Sequence, residues 1–384
     1  MSSFDDTPAH DMRGDALLPS GFADLLPGEA EAEARGIACV MEAFSRHGYQ
    51  RVRPPMLEFE NALLNGAGSA LQNQTFRLMD PNSHRMMALR PDMTTQIARI
   101  AQIRLQDAPR PLRLSYSGSC IVVGTPGRET DRQVSQAGIE LIGPDSAIAD
   151  AEVVALGAQA LDELGIEDVS FDLSMPALAL GIIDKAIPAK DRAALLHALD
   201  RKDAGAVAEL GGSIADVLLT LLRAAGPADR ALEILRGLDL SDAVRPHFER
   251  LVEAISALRA RRPGIRLTVD PVEFRGWQYH TGLCVTVFAA GSREELGRGG
   301  RYLAGKEPAC GLTLRPQALL RAAPLPPSRP RCYVPLDISA EALSGLHSQG
   351  FATVSALTQD ASVAEEAQHL SCTHFWRDGA THAL

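Results

Sequence analysis

With 384 residues, 46% of them hydrophobic and 22% charged, the chain can bury one large core or several smaller ones, which excludes an intrinsically disordered protein. A formal net charge of −10 works against a broad phosphate-binding surface, so the overall balance gives no support to nucleic-acid binding. The acidic opening MSSFDDTPAHDMRGD carries no apolar run, and no later stretch reaches the roughly 18 apolar residues of a membrane span, so a cytoplasmic location is expected.

Residues 1–16 are polar and read as a loose tail. After two prolines in LLPSGFADLLPGEA, a helix is predicted from Glu29 to His47, with Ile37, Val40, Met41 and Phe44 on one buried face and Gly48 as its stop. YQRVRPPML reads as a short strand cut by Pro54 and Pro55. TFRLMD and RMMALR are strands joined by PNSH, and the second runs into a helix that Asp92 can cap, carrying Ile97, Ile100 and Ile103. PLRLSYSGSCIVV and DRQVSQAGIELIG flank the turn-rich GTPGRET as an antiparallel hairpin. A helix near Ala149 to Leu164 and the strand DVSFDL follow.

Residues 186–262 change character, with alanine- and leucine-rich segments broken by glycine and proline, and read as a helical insertion. Strand character returns in IRLTVD and GLCVTVFAA, followed by a glycine-rich turn and the ACGLTLRPQALLRAA segment. Residues 324–330 form a proline-rich linker. The remainder, 331–384, is a small α/β unit with room for about three short strands. Two antiparallel blocks separated by helices predict an α+β fold and argue against a doubly wound parallel sheet. Neither a dinucleotide fingerprint nor a phosphate-binding P-loop is present. The six cysteines form no C-x-x-C pair and no histidine cluster has metal-ligand spacing, so reduced thiols and no metal are expected.

Four polar constellations can carry chemistry. Arg90, Asp92, Thr94 and Gln96 lie where a strand gives way to a helix, a place that can aim a carboxylate and a hydroxyl into a pocket; from the residues alone, helix capping by Asp92 beside a surface Arg90 is the simpler reading. Arg128, Glu129, Arg132, Gln133, Gln136 and Glu140 form the second. On a strand, Arg132, Val134, Gln136, Gly138 and Glu140 share one side, so Gln136 and Glu140 make either a polar pocket floor or a solvated face. Glu273, Arg275, Gln278, Tyr279, His280 and Thr281 surround Gly276 and offer a cation, a phenol and an imidazole, or an ordinary polar loop. The fourth, RGGRY at 298–302, reads as a plain turn. No nucleophile elbow or comparable local catalytic signature accompanies them.

Taken in order, ALRPDMTTQIARI, PLRLSYSGSCIVVGTPGRETDRQVSQAGIELIG, EFRGWQYHTG and GRGGRY resemble the catalytic domain of histidyl-tRNA synthetase, a class II aminoacyl-tRNA synthetase, over residues 17–323. The resemblance implies an antiparallel sheet flanked by helices, a homodimer, and a histidine site. In that family an Arg-Pro-Glu-Gly-Thr segment helps hold histidine, and Arg90-Pro91-Asp92-Met93-Thr94 matches it; Gln136 and Glu140 match the downstream ligands. Arg275 and Tyr279 match the next segment, and His280 stands where the family has a second tyrosine. The histidine-binding set implied is thus Asp92, Thr94, Gln136, Glu140, Arg275, Tyr279 and His280, with no catalytic residue and no cofactor.

On the ATP side the pattern departs. The family's Phe-Arg-x-Glu is replaced by Ile121-Val122-Val123-Gly124, and its motif 3 arginine falls at Ala318, with Arg315 three residues early. Loss of that cationic clamp removes stabilisation of phosphoryl charge during amino-acid activation. The short 331–384 tail is also well below an anticodon-binding domain. That combination resembles the synthetase-like regulatory subunits of ATP phosphoribosyltransferase, which implies a short catalytic phosphoribosyltransferase chain as partner, a mixed oligomer, and feedback regulation of histidine biosynthesis by histidine. A free-standing histidine-binding module and an active synthetase-like enzyme are the alternatives.

Overall fold

The computed structural model describes residues 17–64, 66–124, 131–274, 280–292, 294–324, 329–358 and 362–384. Two compact units divide at Pro324, Met1–Pro324 and Leu325–Leu384.

Strands β1 (Gln50–Arg51), β5 (Leu112–Ile121), β6 (Gln133–Ile142), β7 (Val169–Ser174), β8 (Gly226–Pro227), β9 (Arg266–Val269), β10 (Cys284–Ala289), β11 (Gly297–Ala304) and β12 (Glu307–Leu314) form the main sheet of the larger unit. They lie in the order β1-β5-β6-β12-β11-β10-β7-β9-β8. All neighbours in this sheet are antiparallel except β1 with β5 and β7 with β9. A separate three-stranded sheet comprises β2 (Leu57–Phe59), β4 (Met86–Leu89) and β3 (Arg77–Met79), in that order and antiparallel. The α+β class read from the sequence is the one observed.

Helices cover the two faces of the main sheet unequally. One face carries Glu29–Arg46 and Ala147–Glu163, whose Val40, Met41, Phe44, Val153, Leu156 and Leu161 join Ile139, Leu141, Leu312 and Leu314 in the largest core cluster. Helix 147–163 lies this close because Gly157 has no Cβ, which would stand 2.1 Å from the Leu312 side chain. The other face packs the Thr94–Ile103 helix through Met93, Ile97 and Ala101 against Leu114, Tyr116 and Tyr302.

Three readings are refined. The helical block begins at Pro176, directly after β7, rather than at 186, because Pro176 is pre-set for the first helical turn. It runs through Pro176–Ala186, Ala189–Asp200, Ala204–Leu210, Ala215–Ala224, Ala228–Arg236 and Arg245–Arg261, interrupted by β8, which pairs with β9 at the edge of the main sheet. RGGRY is not a turn: Gly299 and Gly300 lie inside β11, where a Cβ at 299 would meet the Gly311 carbonyl at 2.1 Å. The smaller unit has four strands, not three, ordered β14 (Ala352–Ser355), β13 (Arg331–Val334), β15 (His374–Arg377) and β16 (Ala380–Ala383). The last hairpin turns on Asp378-Gly379, both at positive φ, a dipeptide suited to a tight primed turn.

Candidate functional site

The site is built on a row of paired residues across the main sheet. Leu114 faces Glu140, Glu140 faces Gly311, Gly311 faces Gly300 and Gly300 faces Cys284. Two glycines beside a glutamate leave a trough. A Cβ at Gly311 would stand 1.9 Å from Glu140 Oε2, and one at Gly138 would stand 2.6 Å from the Tyr116 hydroxyl, so both side chains occupy space that only glycine leaves open.

Glu140 lies in the floor of this trough and is 1% exposed. Its Oε2 accepts a hydrogen bond from Tyr302 Oη at 2.9 Å and its Oε1 one from Tyr116 Oη at 3.2 Å. The Tyr116 hydroxyl also lies 2.7 Å from Thr313 Oγ1 and 3.2 Å from Thr94 Oγ1. One phenol has one proton, so if it donates to Glu140 both threonine hydroxyls donate to it. Burial pushes the Glu140 carboxyl up to about 8; the Tyr302 hydrogen bond opposes that rise and the nearby Asp92 charge adds to it. Tyr116 is raised well above the usual phenol value, first by burial and then by Glu140 and Asp92. Around neutrality the floor therefore holds a largely protonated carboxyl ringed by hydroxyls, able to donate as well as accept.

A second knot adjoins it. Asp92 Oδ1 accepts from the Thr94 amide at 2.8 Å, and Asp92 Oδ2 accepts from Gln136 Nε2 at 2.9 Å. Gln136 Oε1 in turn accepts from the Met93 amide at 3.0 Å and from the Cys120 thiol at 3.3 Å. Asp92 is not the helix cap that the sequence suggested, because Met93 takes the N-cap position of the Thr94–Ile103 helix without a side-chain cap; Asp92 instead closes a local turn on the Thr94 amide with one oxygen and reaches the sheet with the other. Arg90 is not a surface residue. It is 5% exposed, donating from Nε to the Ser119 carbonyl at 2.8 Å and from Nη1 to the Pro54 carbonyl at 3.0 Å, in a space where a Cβ at Gly118 would meet its Nη2 at 2.5 Å. It locks the loop before the helix onto β5.

Of the predicted set, Asp92, Thr94, Gln136 and Glu140 converge. His280 is half-buried, and a Cβ at Gly300 would lie 2.8 Å from its Cδ2, which places the imidazole edge against Gly300 at the far end of the glycine row from Glu140. Arg275 and Tyr279 lie outside the described residues, as do Gln278 and the Arg128 and Glu129 of the second constellation. Tyr116 and Thr313 were not picked out in the sequence, and Tyr302 was read only as part of a turn; the three close the ring around Glu140. Strand alternation could have found Tyr116 and Tyr302, but Thr313 needs the β12–β6 register.

The neighbouring end of the sheet has a different chemistry. Val122 and Val123 take up backbone bonding, their amides donating to the Arg132 and Gln74 carbonyls. Ala318 is buried in the Pro316–Ala322 helix and supplies no charge. Arg315 is committed elsewhere, 2.9 Å from Glu295, which also pairs with Arg298 at 2.5 Å. Among the described residues no group of three metal-ligating side chains occurs and no helix is long and apolar enough to cross a membrane.

Comparison with known proteins follows this geometry. The family model for histidyl-tRNA synthetase matches residues 21–319. The chain is 75% identical, over its full length and that of its relative, to an ATP phosphoribosyltransferase regulatory subunit of Gluconobacter oxydans. It is 48% identical to that of Paramagnetospirillum magneticum, with 94% of this chain and 95% of the relative covered. Among solved structures, an ATP phosphoribosyltransferase regulatory subunit/histidyl-tRNA synthetase from Bacillus halodurans superposes with a TM-score of 0.79 at 23% identity, covering 92% of this chain and 96% of that one. A histidyl-tRNA synthetase from Nostoc gives 0.77 at 19% identity, covering 94% and 90%, so the shared fold reaches well beyond sequence similarity. The buried carboxyl floor, the sheet that carries it and full-length identity to these relatives lead to one assignment: the chain belongs to the ATP phosphoribosyltransferase regulatory subunit family, within the histidyl-tRNA synthetase fold.

Proposed function

We propose that this chain is a non-catalytic regulatory subunit that binds histidine on the Asp92–Gln136–Glu140 floor and acts on a short catalytic ATP phosphoribosyltransferase chain. The partner condenses ATP with phosphoribosyl pyrophosphate in the first step of histidine biosynthesis; the regulatory chain is required for full activity and transmits feedback inhibition. The two chains form a cytoplasmic mixed oligomer built around a homodimer of this one.

One observation carries the reading: a bonded polar floor stands beside an end of the sheet where Val122, Gly124 and Ala318 place no cationic side chain. The floor offers an acceptor for an ammonium at Asp92 and a donor-acceptor carboxyl for an imidazole at Glu140. Arg275, Tyr279 and His280 complete the histidine set in this reading. Activating an amino acid requires positive charge fixed on the α-phosphate, and Val122, Gly124 and Ala318 cannot supply it. Regulation then requires coupling between the histidine site and the partner interface, not chemistry in this chain.

The test is a reconstituted phosphoribosyltransferase assay with the short catalytic chain of the same cell, with and without this protein, as histidine is titrated. Activation that histidine reverses, together with loss of the histidine response in Glu140→Gln while activation persists, is the expected result. No change in rate from folded protein and active partner removes the reading.

A further inference from the structure

We propose that a cavity behind the main sheet, separate from the Glu140 trough, binds the phosphate group of a small phosphorylated metabolite. The cavity has a volume of about 560 Å³ and is lined by His47, Arg113, Glu152, Gln159, Arg261 and Arg262, among others. That volume lies within the range of small-molecule sites and exceeds what a bare phosphate needs, leaving room for a sugar-sized remainder.

Strand alternation sets the two sites back to back. On β5, Leu114 and Tyr116 face the Thr94–Ile103 helix and the trough, whereas Arg113 faces the opposite helical layer. The walls come from distant parts of the chain. His47 caps the Glu29–Arg46 helix, Glu152 and Gln159 lie on Ala147–Glu163, Arg261 ends Arg245–Arg261, and Arg262 is its cap.

Charge makes the case for an anion. In a chain of net charge −10, this cavity gathers three guanidiniums against one carboxylate on its walls, with Asp162 paired to Arg262 beside it. The carboxylate acts as a brace: Glu152 accepts from Arg113 Nε at 2.8 Å and Nη2 at 3.2 Å and from Tyr49 Oη at 3.2 Å. That fixes the Arg113 fork, and its Nη1 makes no hydrogen bond among the described residues. Arg261 is ion-paired with Glu152 at 3.8 Å, beyond hydrogen-bond reach, and its guanidinium donates no hydrogen bond among the described residues. Arg262 is steadied by Asp162, and His47 Nε2 lies 3.0 Å from Gln159 Oε1.

The negative end of the nearby helix does not cancel this charge. The Phe44 and Ser45 carbonyls of its last turn are already taken by the amides of His47, Gly48 and Tyr49, with Gly48 at φ +80° making the turn. A carboxylate ligand would satisfy one fork. A phosphate dianion, with its several oxygens, can engage Arg113, Arg261 and Arg262 together, which is why phosphate is the better match.

The experiment is calorimetric titration of the full-length protein with glucose 6-phosphate and with inorganic phosphate at constant ionic strength, with glucose and sulfate as controls. The expected result is saturable one-to-one binding of the phosphate probes, none of glucose, and affinity weakened by about tenfold or more in Arg261→Ser with Arg262→Ser. Both arginines sit at the cavity rim, so the double variant should keep the wild-type melting temperature; Arg113→Lys, which retains a charge but not the fork, should bind with intermediate affinity. No saturable heat from either phosphate probe, sulfate binding equal to phosphate, or undiminished affinity in the folded double variant would overturn the proposal. Histidine titration of the same variants should be unchanged, which separates this outcome from any failure of the Glu140 reading.

Discussion

Two neighbouring regions of one sheet have diverged in opposite directions. In the trough, Glu140, Tyr116, Tyr302, Thr94 and Thr313 are buried and bonded to one another, and glycines at 138 and 311 give up side chains to hold them. At the neighbouring end, Ile121, Val122, Val123 and Gly124 offer only backbone bonds and aliphatic surface. Burying polar groups is costly unless every partner is in place, so a fully bonded polar ring has a reason to persist only where it is used. Under the proposed function, recognition and catalysis on this scaffold are physically separable: one needs a shaped hydrogen-bonding floor, the other an added cationic clamp.

The contrast can be broken most severely at Gly311. Valine there forces atoms into the Glu140 carboxyl and should cost more than about 3 kcal/mol, with loss of histidine binding in whatever protein folds; chemical denaturation and calorimetry measure both. A near-wild-type Gly311→Val protein would mean the trough is open rather than filled.

A smaller effect follows from proton linkage. Folding raises the Glu140 pKa from about 4.5 to about 8, so the folded state holds the proton more tightly. That share of stability is full below pH 4.5, declines as pH rises between the two values, and is gone above about 8. The melting temperature should therefore fall between about pH 5 and 8, and Glu140→Gln, which cannot ionise, should flatten the slope over that window. Equal slopes in the two proteins would remove Glu140 as the source.

The smallest effect is expected at the aliphatic end. Val123→Ala, at an exposed side chain, should change stability by no more than about 0.5 kcal/mol and leave histidine affinity unaltered, as read by thermal melting and titration. A large loss of histidine affinity there would show that the two ends are not separate after all.

Much of this was legible in the sequence. The apolar spacing of Val40, Met41 and Phe44 set a helix, the alternation of Gln136, Gly138 and Glu140 set a polar strand face, and the missing arginine at Val122 and Ala318 is a matter of identity, not geometry. Asp92 was readable as a local hydrogen-bonding residue at the helix start, though it bonds the Thr94 amide from the residue before the N-cap rather than as the cap. The Asp378-Gly379 hairpin was also locally encoded, though only the fold displayed its fourth strand.

Other features depended on residues far apart in the chain. Arg90 could be placed inside only once the Pro54 and Ser119 carbonyls were seen to receive it. The role of RGGRY emerged from pairing β11 with β12, which turned an apparent turn into a trough. The raised pKa of Glu140 comes from burial beneath Tyr116 and Tyr302, which strand register brings to it from 24 and 162 positions away in the chain. Sequence by itself determined local conformation and which charges exist, because helix periodicity, strand alternation and residue identity act over a few positions. Only the tertiary structure decided which charges meet and which are shut away from water, because burial and strand register join residues that the chain keeps apart.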